Sequence, residues 1–179
     1  MVRAFLALEL SGGIRDALAG AQEVLRTCRA RLTFVDPSQI HITVKFLGDV
    51  DDQKIPDVKN ALRAVLVPPF VARTGIVTVN SMRRPFTIWC MVDDAGGGAE
   101  LQKMIDAALS PLGFAAESRP FFPHATVARI KRFDPSLLDA LRSLDARTYG
   151  ECRISGMKLK KSTLTPSGPV YEDLLEVVW

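Results

Sequence analysis

From Val2 to Leu10 nearly every position is apolar, with Arg3, Phe5, Ala7 and Glu9 alternating with Val2, Ala4, Leu6, Leu8 and Leu10. Such a run predicts a strand covered on both faces, and therefore a central one, rather than an amphipathic helix. After Ser11-Gly12-Gly13 the period changes: Ile14, Ala17, Leu18, Ala21, Val24 and Leu25 recur at three- and four-residue steps with polar residues between them, the pattern of a helix packed on a sheet. Leu32 to Val35 reads as a short strand, Asp36-Pro37-Ser38 as a turn, and Ile40 to Leu47 as a β-branched strand ended by Gly48 and Asp49. Asp51 or Asp52 can cap a helix running to about Leu66, with Pro56 in its first turn. Val71 to Val79 and Thr87 to Val92 predict strands separated by a basic turn containing Arg83, Arg84 and Pro85. The glycine-rich stretch from Asp94 to Ala99 reads as a flexible connection before a helix from about Glu100 to Leu112. The second half gives a strand His124 to Ile130, a helix Pro135 to Leu144, a strand Arg153 to Leu164, a turn Pro166-Ser-Gly-Pro169 and a last strand Tyr171 to Val178. Strands and helices alternate, so the pattern predicts an α/β or α+β two-layer protein rather than a bundle or sandwich.

Composition narrows the class. A chain of 179 residues suits one domain, or two small lobes sharing a core. With 23 Lys plus Arg against 20 Asp plus Glu, any basic site is local rather than global. Cys28, Cys90 and Cys152 are widely spaced with no paired CxxC, which argues against a disulfide scaffold, a zinc ribbon or a thioredoxin-type site and suits a reduced cytoplasm. No apolar run reaches the roughly 18 residues of a membrane-spanning helix. The N-terminus reads as a strand, not a signal peptide.

The chain's two histidines open matching motifs, His41-Ile-Thr43-Val44 and His124-Ala-Thr126-Val127. In a strand, residues two apart share a face, so each imidazole projects beside a hydroxyl while Ile42, Val44, Ala125 and Val127 face the other layer. The motifs lie 83 residues apart, nearly half the chain, as expected if two similar lobes each contribute one to a shared groove. A lone histidine in an apolar strand is more often structural, but a matched pair with pKa values near neutrality can act as base and acid together. Phosphodiester hydrolysis needs that pairing, with the hydroxyls on the non-bridging oxygens. Two histidines without Asp, Glu or Cys at ligand spacing supply only half of a usual metal site. No GxSxG or GxxxxGK[ST] segment supports a serine hydrolase or a nucleotide-triphosphate hydrolase.

The flanks carry a resemblance. His41-Ile-Thr-Val-Lys-Phe-Leu-Gly48 and Arg119-Pro-Phe-Phe-Pro-His-Ala-Thr-Val-Ala-Arg129 are joined by Phe5-Leu-Ala-Leu-Glu9, the Asp36-Pro37 turn and Ser162-Thr-Leu-Thr-Pro-Ser-Gly-Pro-Val-Tyr171. Together they resemble the two-histidine (2H) phosphoesterases, and more narrowly the RNA 2′,3′-cyclic phosphodiesterases, also called 2′-5′ RNA ligases. The resemblance spans nearly the whole chain. It implies a bilobal, pseudo-twofold fold with a central cleft between two sheets, residues 1–179 forming one bilobal domain in which each lobe supplies one HxT motif. It further implies a monomeric, cytoplasmic enzyme with no membrane association. That enzyme opens RNA 2′,3′-cyclic phosphate ends to 2′-phosphates, using no metal or cofactor, on substrates such as tRNA fragments or small nucleotides. The alternatives are 2′-5′ ligation, the reverse reaction, and a non-catalytic RNA- or nucleotide-binding module, against which the two retained threonines argue.

By the same resemblance His41 is the general acid toward O3′ and His124 the general base toward water, with Thr43 and Thr126 steadying the phosphate. Spacing alone leaves the two roles exchangeable. Phe46 and Arg129 match substrate-contact positions, an aromatic that can stack on a base and a guanidinium that can approach phosphate. Each stands five residues after its histidine, an odd offset that an undistorted strand turns away from the histidine face. A bulge or strand end is therefore required, and the competing readings are a core Phe46 and a surface Arg129. Lys45 shares the parity of His41 and Thr43, which predicts that it reaches the cleft as a substrate-binding cation. Trp89 reads as core, Tyr171 as a stacking candidate, and Phe121 and Phe122 as shaping the entry to the second motif. Arg83 with Arg84, Lys131 with Arg132, and Lys158 with Lys160 and Lys161 are basic clusters suited to an RNA backbone or to plain solvation.

Overall fold

A computed structural model of the chain describes residues 1–165 and 168–179. The strands are β1 (Val2–Glu9), β2 (Arg31–Phe34), β3 (His41–Val50), β4 (Phe70–Val79), β5 (Thr87–Asp93), β6 (His124–Arg132), β7 (Glu151–Ile154), β8 (Gly156–Thr165) and β9 (Gly168–Val178). The helices are α1 (Gly12–Leu25), α2 (Ile55–Arg63), α3 (Gly97–Leu109) and α4 (Ser136–Arg142). Among the described residues all strand pairings are antiparallel, in the order β7-β4-β5-β6-β3-β1-β8-β9, with β2 beside β6. The sheet curls, and α1 and α3 pack on it against β6 and β3.

The strand order is nearly palindromic in its parts. In one half, β1 leads through α1 and β2 to β3; in the other, β5 leads through α3 to β6. The two motif strands meet in the middle through one bridge, Ile42 opposite Ala125, so the expected two sheets are joined into one at a narrow seam. The helices are exchanged across that seam. α1, which follows β1, packs against β6 and α4, while α3, which follows β5, packs against β3 and α2. Each half of the sheet is thus backed by a helix reached from the other half, and the core formed by Leu6, Leu8, Ile14, Leu18, Ile42, Ile88, Leu101, Ile105 and Val127 runs continuously beneath both.

β1 has the predicted central place between β3 and β8, with Ala4 to Leu8 all buried. Ser11 caps α1, accepting a bond from the Ile14 amide. Four sequence boundaries move. β3 runs through Gly48 and Asp49 to Val50, because Ala4 and Arg3 continue to pair with them. Asp51 caps a 3-10 turn (Asp52–Lys54) ahead of α2, which stops at Arg63 instead of continuing to Leu66. The segment read as one strand from Arg153 to Leu164 breaks at Ser155: β7 pairs with β4 at one edge, whereas β8 crosses to pair with β1.

The fourth is the glycine-rich stretch, which is a helix start and not a flexible connection. α3 begins at Gly97, and the buried Asp94 carboxylate accepts the Gly96 and Gly98 amides at 3.0 Å each. Gly98 is required by space: a Cβ there would stand 2.3 Å from the Phe121 ring and 2.5 Å from Asp94 Oδ2. The turn read at Pro166–Pro169 lies partly outside the described residues.

Candidate active site

The bridge at Ile42 and Ala125 sets the central geometry. In an antiparallel register through that pair, His41 falls in line with Thr126, and Thr43 with His124. Both imidazoles and both hydroxyls therefore share one face of the sheet, while Ile42, Val44, Ala125 and Val127 are buried beneath the helices.

The bulge demanded by the odd offsets is present twice. On β3, Leu6 pairs with Lys45 and Ala7 with Thr43, leaving Val44 without a partner. On β6, Ile88 pairs with Ala128 and Trp89 with Thr126, leaving Val127 without one. Two consecutive residues are consequently buried on each strand, and the next, Phe46 or Arg129, is turned back to the histidine face. Burial alternates identically for nine residues from each histidine. Phe46 is 70 % exposed, which overturns its core reading.

The same bulge removes Lys45 from the cleft. Its ammonium lies beneath the sheet, 97 % buried at the side chain, 2.7 Å from Asp106 Oδ1 and 3.8 Å from Glu117, and it donates to the Ala115 carbonyl at 2.7 Å. Lys45 is therefore a structural cation joining β3 to α3 and to the segment leading into His124. Simple alternation fails there because Val44 and Lys45 occupy one pleat position together.

Each imidazole is oriented from behind. His41 Nδ1 donates to the Gln39 carbonyl and His124 Nδ1 to the Phe122 carbonyl, both at 2.7 Å. A carbonyl can only accept, so Nδ1 carries hydrogen in both rings and Nε2 is left for chemistry on the open side. His41 Nε2 lies 3.1 Å from Thr43 Oγ1; Thr126 makes no counterpart bond. Phe5 stacks on His41 at 5.1 Å between centroids, and Tyr171 meets it edge-on at 5.6 Å. Trp89, expected in the core, lies instead against His124 at 4.3 Å, with Phe122 at 6.2 Å from the same ring. Its pairing with Thr126 places it on the histidine face. Phe121 packs over Gly98 at the start of α3, and Phe122 stands against Trp89 at 5.7 Å between centroids.

Burial lowers the pKa of both imidazoles below the ordinary value, while the carbonyl bonds at Nδ1 pull it back upward. The charged surroundings differ. At His41 the carboxylate of Glu9, its cross-strand neighbour, favours the imidazolium, and Lys160 and Arg15 oppose it. Glu9 is itself held by Arg15 and by Lys160 at 2.8 Å; burial raises its pKa, but these cations outweigh burial and keep it below the usual carboxylate range. No charged group perturbs His124 in this way. Sequence parity had placed Glu9 and Phe5 on one face of β1; only the register with β3 shows that the face is His41's.

The basic clusters divide. Lys158 and Lys160 are bound to Asp173 at 2.7 and 2.6 Å, and Lys161 to Glu172 at 3.3 Å, so that cluster is neutralised. Arg83, Arg84, Arg129, Lys131 and Arg132 are exposed and form no ion pair among the described residues. Pairing gathers them: Arg129 stands opposite Thr87 of β5, the Ile130 amide donates to the Phe86 carbonyl beside the Arg83-Arg84 turn, and Arg31 of β2 stands opposite Arg132. The result is an unneutralised basic strip continuing from the Arg129 end of the cleft. Among the described residues no group of three or more His, Cys, Asp or Glu side chains is gathered for a metal, and no helix is long and apolar enough to cross a membrane.

Known proteins resemble this chain in sequence and in fold. The chain is 35 % identical over 178 residues to a protein of Methanothermobacter thermautotrophicus named RNA 2′,3′-cyclic phosphodiesterase, covering 97 % of this chain and 96 % of the relative. A protein of the same name from Methanocaldococcus jannaschii is 35 % identical over 177 residues, covering 98 % and 99 %. Among solved structures, TT0787 of Thermus thermophilus superposes with a TM-score of 0.82 at 29 % identity, covering 98 % of this chain and 97 % of that one. Escherichia coli LigT in complex with 3′-AMP shares the fold, with a TM-score of 0.79 at 19 % identity over 99 % of this chain and 97 % of LigT. The family model of LigT-like phosphoesterases matches residues 8–89 and 94–171, one segment around each motif, and the chain belongs to that family.

Proposed function

We propose that the protein hydrolyses RNA 2′,3′-cyclic phosphate ends to 2′-phosphates by acid-base catalysis between His41 and His124. The observation that carries this reading is the pair of imidazoles, each tethered at Nδ1 to a main-chain carbonyl and each leaving Nε2 open on the sheet face that carries both threonines. Naming of the relatives as RNA 2′,3′-cyclic phosphodiesterases supports the substrate class.

In this mechanism neutral His124 Nε2 removes a proton from water as its oxygen attacks phosphorus. Protonated His41 Nε2–H donates to O3′ as the P–O3′ bond breaks, leaving a 2′-phosphate and a 3′-hydroxyl. Glu9 supports the protonated state of His41, and the burial of His124 without a charged neighbour supports its neutral state. With His41 protonated, Nε2–H rests on Thr43 Oγ1, which leaves the Thr43 hydroxyl hydrogen free for a phosphate oxygen; Thr126 is the corresponding donor opposite. Phe46 offers a stacking face for a base, and Arg129 a cation at the other end of the cleft. The strip beyond Arg129 follows the backbone of a longer RNA. All four HxT side chains come from one chain, so the reading needs no second copy.

Phosphorus NMR of a short RNA ending in a 2′,3′-cyclic phosphate, incubated in EDTA with wild type, His41→Ala and His124→Ala, tests this. Conversion to the 2′-phosphate by wild type alone is the expected result. A 3′-phosphate product would reverse the leaving-group assignment, and full activity in either variant would remove the mechanism.

A further inference from the structure

The two bulges lie where a strand would ordinarily be regular, and something must hold them. Each leaves one valine outside its ladder, and each valine carbonyl is met by a glutamine amide. Gln102 of α3 donates through Nε2 to the Val44 carbonyl at 2.8 Å. Gln22 of α1 donates through Nε2 to the Val127 carbonyl at 3.0 Å, which also accepts the Val35 amide at 3.0 Å, and to the Val35 carbonyl at 2.7 Å, so that it uses both amide hydrogens and clasps the Val35 segment to the bulge. Gln22 is only 2 % exposed, an uncommon burial for an amide and one that its two bonds satisfy. The donors are crossed: the helix that follows β1 holds the bulge of β6, and the helix that follows β5 holds the bulge of β3.

We infer that Gln22 and Gln102 are a reciprocal pair of positioning residues, each fixing the substrate-contact side chain carried by the other half of the sheet: Gln22 sets Arg129, and Gln102 sets Phe46. The physical argument is parity. A bulge whose carbonyl loses its glutamine donor, the one side-chain bond given to it from the helix layer, is held less firmly against a return to the regular ladder, and a one-residue slip sends every later side chain to the opposite face. On β3 that slip turns Phe46 toward the helices and Lys45 toward the cleft; on β6 it turns Arg129 toward the apolar layer. His41, Thr43, His124 and Thr126 precede the bulges and keep their places. The clasps therefore govern substrate binding more than the proton transfers.

This inference rests on the proposed function for the roles of Phe46 and Arg129, and its test separates the two. Methionine fills nearly the volume of glutamine without an amide donor, so Gln22→Met and Gln102→Met remove the bonds with little change in packing. Each is expected to raise KM for a dinucleotide 2′,3′-cyclic phosphate about three- to tenfold, the worth of one hydrogen bond, with kcat within about twofold. Affinity for adenosine 2′-monophosphate, measured by calorimetry, should weaken in parallel, and it reads the clasps even if wild type shows no turnover.

The decisive result is the crossing. Gln102→Met adds nothing to the KM of Phe46→Ala but its full effect to that of Arg129→Ala, and Gln22→Met behaves in the reverse way. Thermal melts verify folding, and if Gln22→Met does not fold, the Gln102 arm decides alone. Unchanged KM and affinity in both variants would overturn the inference. So would coupling of each glutamine to the contact residue on its own half, or a fall in kcat and melting temperature with KM unmoved.

Discussion

Replacing Lys45 by methionine distinguishes a substrate cation from a buried structural one. The Lys45 side chain is 3 % exposed and Asp106 14 %, with 2.7 Å between the charges and a further bond of 2.7 Å to the Ala115 carbonyl. Removing the ammonium leaves the Asp106 carboxylate buried with only the Glu117 amide, 3.0 Å from its other oxygen. Breaking a buried pair from one side costs about 3 to 5 kcal/mol, and for a chain of this length that lowers Tm by roughly 6 to 20 °C. Removing both charges in Lys45→Met/Asp106→Leu eliminates the stranded carboxylate and should restore stability to within about 2 kcal/mol of wild type. Urea unfolding followed by tryptophan fluorescence and circular dichroism gives the free energies. Steady-state turnover of a cyclic-phosphate dinucleotide, measured well below the transition, should show KM within about twofold of wild type. A loss under about 1 kcal/mol, or a double variant no more stable than the single, would refute the buried-pair reasoning; a large rise in KM without destabilisation would return Lys45 to the cleft.

Thr43→Ala and Thr126→Ala should each reduce kcat by about 10²- to 10³-fold if they bind developing charge, whereas losses under about threefold would confine them to packing. The pH profile of kcat/KM should be bell-shaped with its maximum below 6.5, because burial lowers both imidazoles. A maximum above about 7.5 would contradict that environment. Glu9→Gln removes the one anion favouring the His41 imidazolium and leaves Lys160 and Arg15, so the alkaline limb should move to lower pH; an unmoved limb would exclude Glu9 from tuning the acid. Since neutral imidazole is favoured in the folded state, the unfolded chain binds more protons in the window just below pH 6.5. The two histidines therefore support stability fully above 6.5 and lose that support as pH falls through their lowered values, and denaturant titrations of His41→Ala/His124→Ala should show a weaker acid dependence than wild type. Arg83→Ala/Arg84→Ala/Lys131→Ala should lower kcat/KM on a twelve-nucleotide RNA and reduce its salt slope by about 2, leaving a cyclic mononucleotide unaffected; equal loss on both would place these cations elsewhere in the reaction.

Much of this architecture is local and therefore legible. Alternation along β1 and the three- and four-residue steps of α1 each reflect burial of one element against its immediate neighbours, and the HxT pairs follow from strand periodicity alone. Phe46 and Arg129 exposed the limit of that reading, since their odd offsets required a bulge that no local signal located. The same missing bulge misdirected Lys45. The apolar neighbours of Trp89 in sequence predict a core position, yet its pairing with Thr126 puts it on the histidine face. Glu9, Gln22 and Gln102 act through partners 32, 105 and 58 residues away, and register across strands or packing of an exchanged helix has no period to read. The break at Ser155 is illegible for a related reason: β7 and β8 look like one strand locally and differ only in which distant strand each one joins.

The matched tethers on the two imidazoles bear on what the protein is after one turnover. In the proposed mechanism His41 holds the extra proton at the start and His124 is neutral; at the end each is in the other's condition. Because each ring is held at Nδ1 by the carbonyl two residues before it, no tautomer must flip and no ring must turn for this exchange. The spent site is then, to a first approximation, the starting site rotated by half a turn about the Ile42–Ala125 bridge. What distinguishes the two conditions is the asymmetric dressing of the frame, with Glu9, Lys160 and Arg15 on one side and Trp89 on the other. In the proposed mechanism that dressing decides which of the two conditions the free site relaxes to, by exchange of one proton with water, before the next turnover.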